Sequence, residues 1–297
     1  MGYLRKRLSK KSIWKKIFLQ RLTEPAHLNA LALIVYLFGS FKQKVAYDLI
    51  LRPHNAFGIL NAAQQAKKLG FKKISIIEFG VANGAGLMNM IKISERVTKT
   101  TGIGIDIYGF DSGEGMPEPV DYRDHPEYYS KGDFPMNMEL LDYSIGTKAK
   151  LVIGNIENTL SDFLNGLGSD SPVGYVVVDV DYYSSTKQVL DLFKAKADLF
   201  LPRVNVYFDD IFMPNHNSKC GELLAIEEFN SGEKMRVLEH HKFFQNERIF
   251  KNPNWIKQLY YCHILDHDYR SRLDRNRNKH VLDNPYLDFE GNKNQFS

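Results

Sequence analysis

Glu78, Asp111, Asp179, Asp181, Asp209 and Asp210 each follow a short apolar run, where a parallel sheet would present them to a ligand. Glu78 precedes a glycine turn, Gly80-Val81-Ala82-Asn83-Gly84-Ala85-Gly86. Glycines there let the backbone turn sharply and leave room for a ligand against it. A carboxylate ahead of such a turn repels a pyrophosphate but suits an ammonium or a hydroxyl. That points away from a nicotinamide dinucleotide and towards S-adenosylmethionine. The glycine spacing is also wrong for the Gly-x-Gly-x-x-Gly turn of a nicotinamide-dependent oxidoreductase. Asp111, after a second apolar run, can accept both ribose hydroxyls of an adenosyl group. Asn155, after a third, can meet the adenine edge.

The four aspartates at positions 179, 181, 209 and 210 end two neighbouring runs. Like charges crowded into one cleft are costly, and a bound divalent cation removes that cost. An all-oxygen donor set suits Mg²⁺, Mn²⁺ or Ca²⁺ and not zinc. Such an ion lowers the pKa of a bound hydroxyl, and a free carboxylate nearby can take the proton. This is the equipment for an alcohol or catechol oxygen to attack a methyl sulfonium. A non-catalytic cofactor-binding protein has no use for that much uncompensated charge.

The intervening pattern supplies the scaffold. Strands are expected at 74–79, 104–110, 150–153, 173–178 and 204–208, with two closing strands at 235–238 and 259–265. Helices are expected at 53–70, 86–97, 186–201 and 223–229, and the run 28–38 reads as a buried helix, too short to span a bilayer. Alternating strands and helices imply an α/β, Rossmann-like, mostly parallel seven-stranded sheet with an antiparallel edge hairpin. The expected division is an N-terminal helical extension (1–54), a core domain (55–266) and a surface tail (267–297). Within the core, residues 113–147 form a lid or substrate insertion, rich in proline and tyrosine. Tyr122, His125, Tyr128 and Tyr129 of that insertion offer rings for stacking on a sugar.

Taken together, these residues resemble the macrocin O-methyltransferase family, metal-dependent sugar O-methyltransferases of antibiotic biosynthesis. The pieces that carry the resemblance are Ile77-Glu78-Phe79-Gly80-Val81 with Gly84 and Gly86, then Tyr108-Gly109-Phe110-Asp111-Ser112 with Glu114-Gly115-Met116-Pro117. Gly132-Asp133-Phe134, Asp179-Val180-Asp181-Tyr182-Tyr183-Ser184-Ser185-Thr186 and Asp209-Asp210 follow in family order, over roughly 55–265. The resemblance implies a class I methyltransferase fold. It also implies Mg²⁺ held by Asp179, Asp209 and Asp210, and Asp181 as general base. Glu78, Gly80, Asp111 and Ser112 would line the S-adenosylmethionine site, with Asn83 and Gly84 from the glycine turn and Asn155 beside them. The family's Gly-Gly turn before strand five is Pro202-Arg203 here, and its phenylalanine after Asp111-Ser112 is Gly113.

The expected acceptor is a hydroxyl of a sugar or glycan, with a phenol or catechol, or RNA, as alternatives. The net charge of +4 is too small for a polyanion binder overall, and the acidic cleft lacks an aromatic platform for bases, so nucleic acid ranks low. Cys220 and Cys262 make no disulfide framework, which fits a reducing, cytoplasmic setting. Eight cations from Arg5 to Arg21 precede the first acid, Glu24, and are interleaved with Ile13, Trp14, Ile17, Phe18 and Leu22. A basic amphipathic helix of this kind either contacts an anionic membrane surface or packs on its own domain or on a partner subunit in a homo-oligomer.

Overall fold

The computed structural model describes residues 21–212 and 216–272. Most of the basic N-terminal segment and the tail beyond Arg272 lie outside them. The described chain opens with two helices, α1 (Ala26–Phe38) and α2 (Phe41–Ala46). Then come α3 (Pro53–Leu69), β1 (Lys73–Phe79), α4 (Ala85–Thr101), β2 (Gly104–Asp111), α5 (Met138–Ile145), β3 (Lys150–Ile153) and α6 (Ile156–Gly166). The chain continues through β4 (Val173–Val178), α7 (Tyr183–Leu190), β5 (Phe200–Phe208), α8 (Gly221–Gly232), β6 (Arg236–His240), α9 (Phe244–Glu247), β7 (Leu259–Ile264) and α10 (Asp268–Ser271).

The strands form one sheet in the order β3-β2-β1-β4-β5-β7-β6. All neighbours are parallel except β7, which runs antiparallel to both β5 and β6. The expected Rossmann-like sheet with an antiparallel edge is therefore present. Every residue of β4 is buried, as is every residue of β1 after Lys73, which is why both read as unbroken apolar runs. Ile74 and Ile76 of β1 pack into one core with α3 and α4, while Ile77 and Phe79 pack into the other beneath α6, α7 and α8. The chain reverses its winding between β1 and β4, the place where an open α/β sheet leaves a crevice at its carboxyl edge.

Several expectations shift. The helix expected at 186–201 starts earlier, at Tyr183, and ends at Leu190, followed by 3₁₀ turns over Asp191–Lys194 and Ala197–Leu199. β5 begins at Phe200 rather than Val204. Pro202 is accommodated because the pairing with β4 changes register between Val173 and Tyr175, and an irregularity tolerates a residue without an N–H. Helices α5, inside the insertion, and α6 were not expected. The run 28–38 is a helix, but it is not buried: Ala32 is its one buried residue.

Candidate active site

One cleft of about 660 Å³ opens at the carboxyl edge of the sheet, a volume usual for a cofactor site. It is lined by Glu78, Gly80, Asn83, Asp111, Ser112, Asn155, Asp179, Asp181, Asp209 and Asp210. Gly84, the remaining candidate, sits at the N-cap of α4 with φ 76°, where a β-carbon would strike Leu141 of α5.

Backbone constraints explain the turn. Asp179 N donates to Phe79 O, so the tips of β1 and β4 are laced together. A β-carbon on Gly80 would fall 1.7 Å from the Asp179 carbonyl oxygen, and its φ of +86° already favours glycine. Asp111 reaches across from β2 to hold the turn. Its Oδ2 accepts from Val81 N at 2.9 Å and Ala82 N at 2.8 Å, and its Oδ1 accepts from Gly113 N at 2.8 Å. Oδ1 retains a lone pair for a ribose hydroxyl. Ser112 Oγ donates to Gly115 O and orders the following loop. Asn83 and Asn155 are both exposed on the cleft rim.

Glu78 is 1 % exposed, and its Oε2 has no hydrogen-bond partner. Burial pushes its carboxyl up to about 8, against the pull of Arg52. Arg52 is not legible from the strand tips because it precedes a helix. The one signal was a cation placed ahead of Pro53, at the end of a helix where the dipole disfavours it. Its backbone is left-handed, with φ 55° and ψ 71°, and its side chain enters the cleft. Among the described residues its guanidinium makes no hydrogen bond or ion pair.

Oxygens of Asp179, Asp181 and Asp210 all lie within 4.8 Å of one another. Burial, and then neighbouring carboxylates, raise the pKa of Asp179 and of Asp210 well above the ordinary value; burial also raises that of Asp181. Asp181 takes a left-handed backbone at φ 58°, a costly conformation for aspartate that aims it into the cleft. Asp209 stands on the same rim but outside this trio; its Oδ1 accepts from the Tyr207 hydroxyl at 3.0 Å. Glu222 of α8, which the sequence did not single out, is fully buried behind the cluster. Its Oε2 accepts from Asp210 N, and its Oε1 is unpartnered, as is Asp210 Oδ2. Converging carboxylates with acceptor oxygens left without donors fit a hard cation.

The insertion closes over this floor. Asp124 is fully buried and accepts from Ser184 N, Ser184 Oγ and Val120 N, placing a carboxylate at the N-terminus of α7, where the helix dipole favours it. Met116, Tyr129 and Tyr182 form a small core beneath the insertion. Of the four rings expected to meet a sugar, only Tyr129 lines the cleft. Its hydroxyl is shielded from solvent and outside hydrogen-bond geometry with any described atom, yet close enough to Asp181 for each to move the other's pKa. Tyr122 is 70 % exposed, and His125 is buried in a stack on His216.

No protein-family model matches the chain, and no curated protein matches it. Solved structures do. The calicheamicin methyltransferase CalS11 aligns at 18 % identity and TM-score 0.47, covering 70 % of this chain and 77 % of that one. CmcI-D160 with Mg and SAM aligns at 16 % identity and TM-score 0.36, over 68 % and 69 %. An rRNA methylase from Streptococcus thermophilus aligns at 11 % identity and TM-score 0.35, over 69 % and 95 %. Relations this distant leave the chemistry to be read from the chain's own residues.

Proposed function

We propose that this chain transfers a methyl group from S-adenosylmethionine to a hydroxyl oxygen, with a divalent cation, Mg²⁺ by its donor set, in the same cleft. The acceptor class that fits best is a sugar or glycan. The carrying observation is the juxtaposition, in a single cleft, of a buried Glu78 with an unpartnered Oε2 and a trio of converging aspartates.

Glu78 is buried and keeps one oxygen, Oε2, without a donor, so it is matched to the ammonium of the methionyl group. Arg52, across from it, is matched to the carboxylate; together the two would read both ends of an α-amino acid. Asp111 would hold the ribose, and Asn155 the adenine edge. Asp179 and Asp210 would hold the cation, with Asp209 at the rim. The bound ion would supply the charge that eases ionisation of an acceptor hydroxyl. Asp181 would take that proton as the oxygen–carbon bond forms and the carbon–sulfur bond breaks. Tyr129 would orient Asp181 and exclude water on the insertion side.

The test is transfer of isotopic methyl from S-adenosylmethionine to a panel of nucleotide sugars and hydroxylated small molecules, with and without EDTA. Asp181→Asn is expected to abolish turnover while leaving cofactor binding intact. Transfer that survives excess EDTA would defeat the role of the cation, and a fully active Asp181→Asn would remove Asp181 as the base.

A further inference from the structure

Helix α1 reads Ala-His-Leu-Asn-Ala-Leu-Ala-Leu-Ile-Val-Tyr-Leu-Phe, thirteen residues without a formal charge. Leu33, Ile34 and Leu37 are 62 %, 56 % and 60 % exposed, and Phe38 is 84 % exposed; Leu31 and Tyr36 accompany them. A helix apolar on most of its circumference is ordinarily buried, and a contiguous exposed apolar surface marks an interaction site.

The charge around it is one-sided. Arg5, Lys6, Arg7, Lys10, Lys11, Lys15, Lys16 and Arg21 precede α1, and Lys42 and Lys44 follow it in α2. The one acid before Asp48 is Glu24, which is buried and accepts from Asn252 N. Since the whole chain carries only +4, the remainder from Asp48 onward is net negative. Along the sequence, the cations are thus concentrated before and after the apolar helix.

We propose that α1 seats this protein on an anionic lipid bilayer. Leu33, Ile34, Leu37 and Phe38 would enter the boundary between headgroups and acyl chains, and Lys42 and Lys44 would meet lipid phosphates. At 1.5 Å per residue α1 is about 20 Å long, against the roughly 30 Å of a hydrocarbon core, so it lies in the surface and does not cross. Among the described residues no helix is long and apolar enough to cross a membrane. A second copy is a poorer occupant, because a two-fold contact through α1 would bring Lys42 and Lys44 of both copies together. RNA would match the cations but leave the leucines in water. The proposal is independent of the methyl-transfer reading.

Flotation of the full chain with phosphatidylcholine vesicles, with and without phosphatidylglycerol, tests it. The wild type should float with anionic vesicles, with binding that weakens as salt rises. The triple variant Leu33→Glu/Ile34→Glu/Leu37→Glu should lose vesicle affinity by about tenfold or more while keeping its urea midpoint, since these side chains are exposed. Lys42→Glu/Lys44→Glu should weaken binding to anionic vesicles only. A wild type that stays unbound at low salt, or a triple variant that floats equally, would overturn the proposal. So would a dimer that the triple variant dissociates without either form floating, or RNA binding that is tight and indifferent to the triple substitution.

Discussion

Glu78 occupies the space that a side chain at Gly86 would need: a β-carbon there would fall 1.7 Å from Glu78 Oε1. The atom met is the end of a side chain, so Gly86→Ala should fold at a cost of about 1–3 kcal/mol while pushing the carboxylate out of place. S-adenosylhomocysteine, which keeps the ammonium, should bind at least about tenfold more weakly by calorimetry. Unchanged affinity would separate Glu78 from ligand recognition. Gly80→Ala meets rigid backbone instead and should fail to fold.

The raised carboxyl of Glu78 carries a pH signature. Burial lifts it from 4.5 to about 8, so the fold favours the protonated form. The stability this contributes is complete below pH 4.5, declines as pH rises towards 8, and levels off above it, at about 1.4 kcal/mol for each pKa unit of separation. Urea unfolding of wild type against Glu78→Gln should show this slope disappear in the variant. Binding of the ligand's ammonium should restore ionisation, so titration of S-adenosylhomocysteine at pH 7 should release protons, measured from buffers of different ionisation heat. Proton uptake would contradict the assignment.

The sheet was legible because β-branched runs such as Val173–Val178 are buried on both faces, and a chain states that without ambiguity. The acids at strand tips followed from the same logic. Arg52 and Glu222 did not, because one lies before a helix and the other inside one, and only tertiary contact brings them to the cleft. Helix α1 misled for the opposite reason: its apolar composition dictates burial, and among the described residues little of it is covered.

Asp124→Ala removes the carboxylate that ties the insertion to α7, leaving Ser184 N without its acceptor. The expected loss is about 1–3 kcal/mol of stability. Hydrogen exchange over residues 113–147 should rise more than elsewhere. Uniform exchange across the chain would mean that the insertion is held by its aromatic core instead.

Arg248 anchors the N-terminal helices to the far side of the domain. It donates to Asp48 Oδ1 at 2.5 Å and to the carbonyls of Val45 and Ala46, beneath the rings of Phe57, Phe244 and Trp255. Arg248→Met would leave Asp48 buried without its partner and should cost about 3–5 kcal/mol by urea unfolding. Asp48→Asn/Arg248→Met should recover part of that loss.

Calorimetric titration of the full chain with S-adenosylhomocysteine, and separately with NAD⁺, bears most directly on the cleft. S-adenosylhomocysteine should bind one to one, at least about tenfold more weakly in Arg52→Met and in Glu78→Gln, and NAD⁺ should not bind. No binding of S-adenosylhomocysteine, or NAD⁺ binding that depends on Glu78, would contradict the methyl-donor assignment.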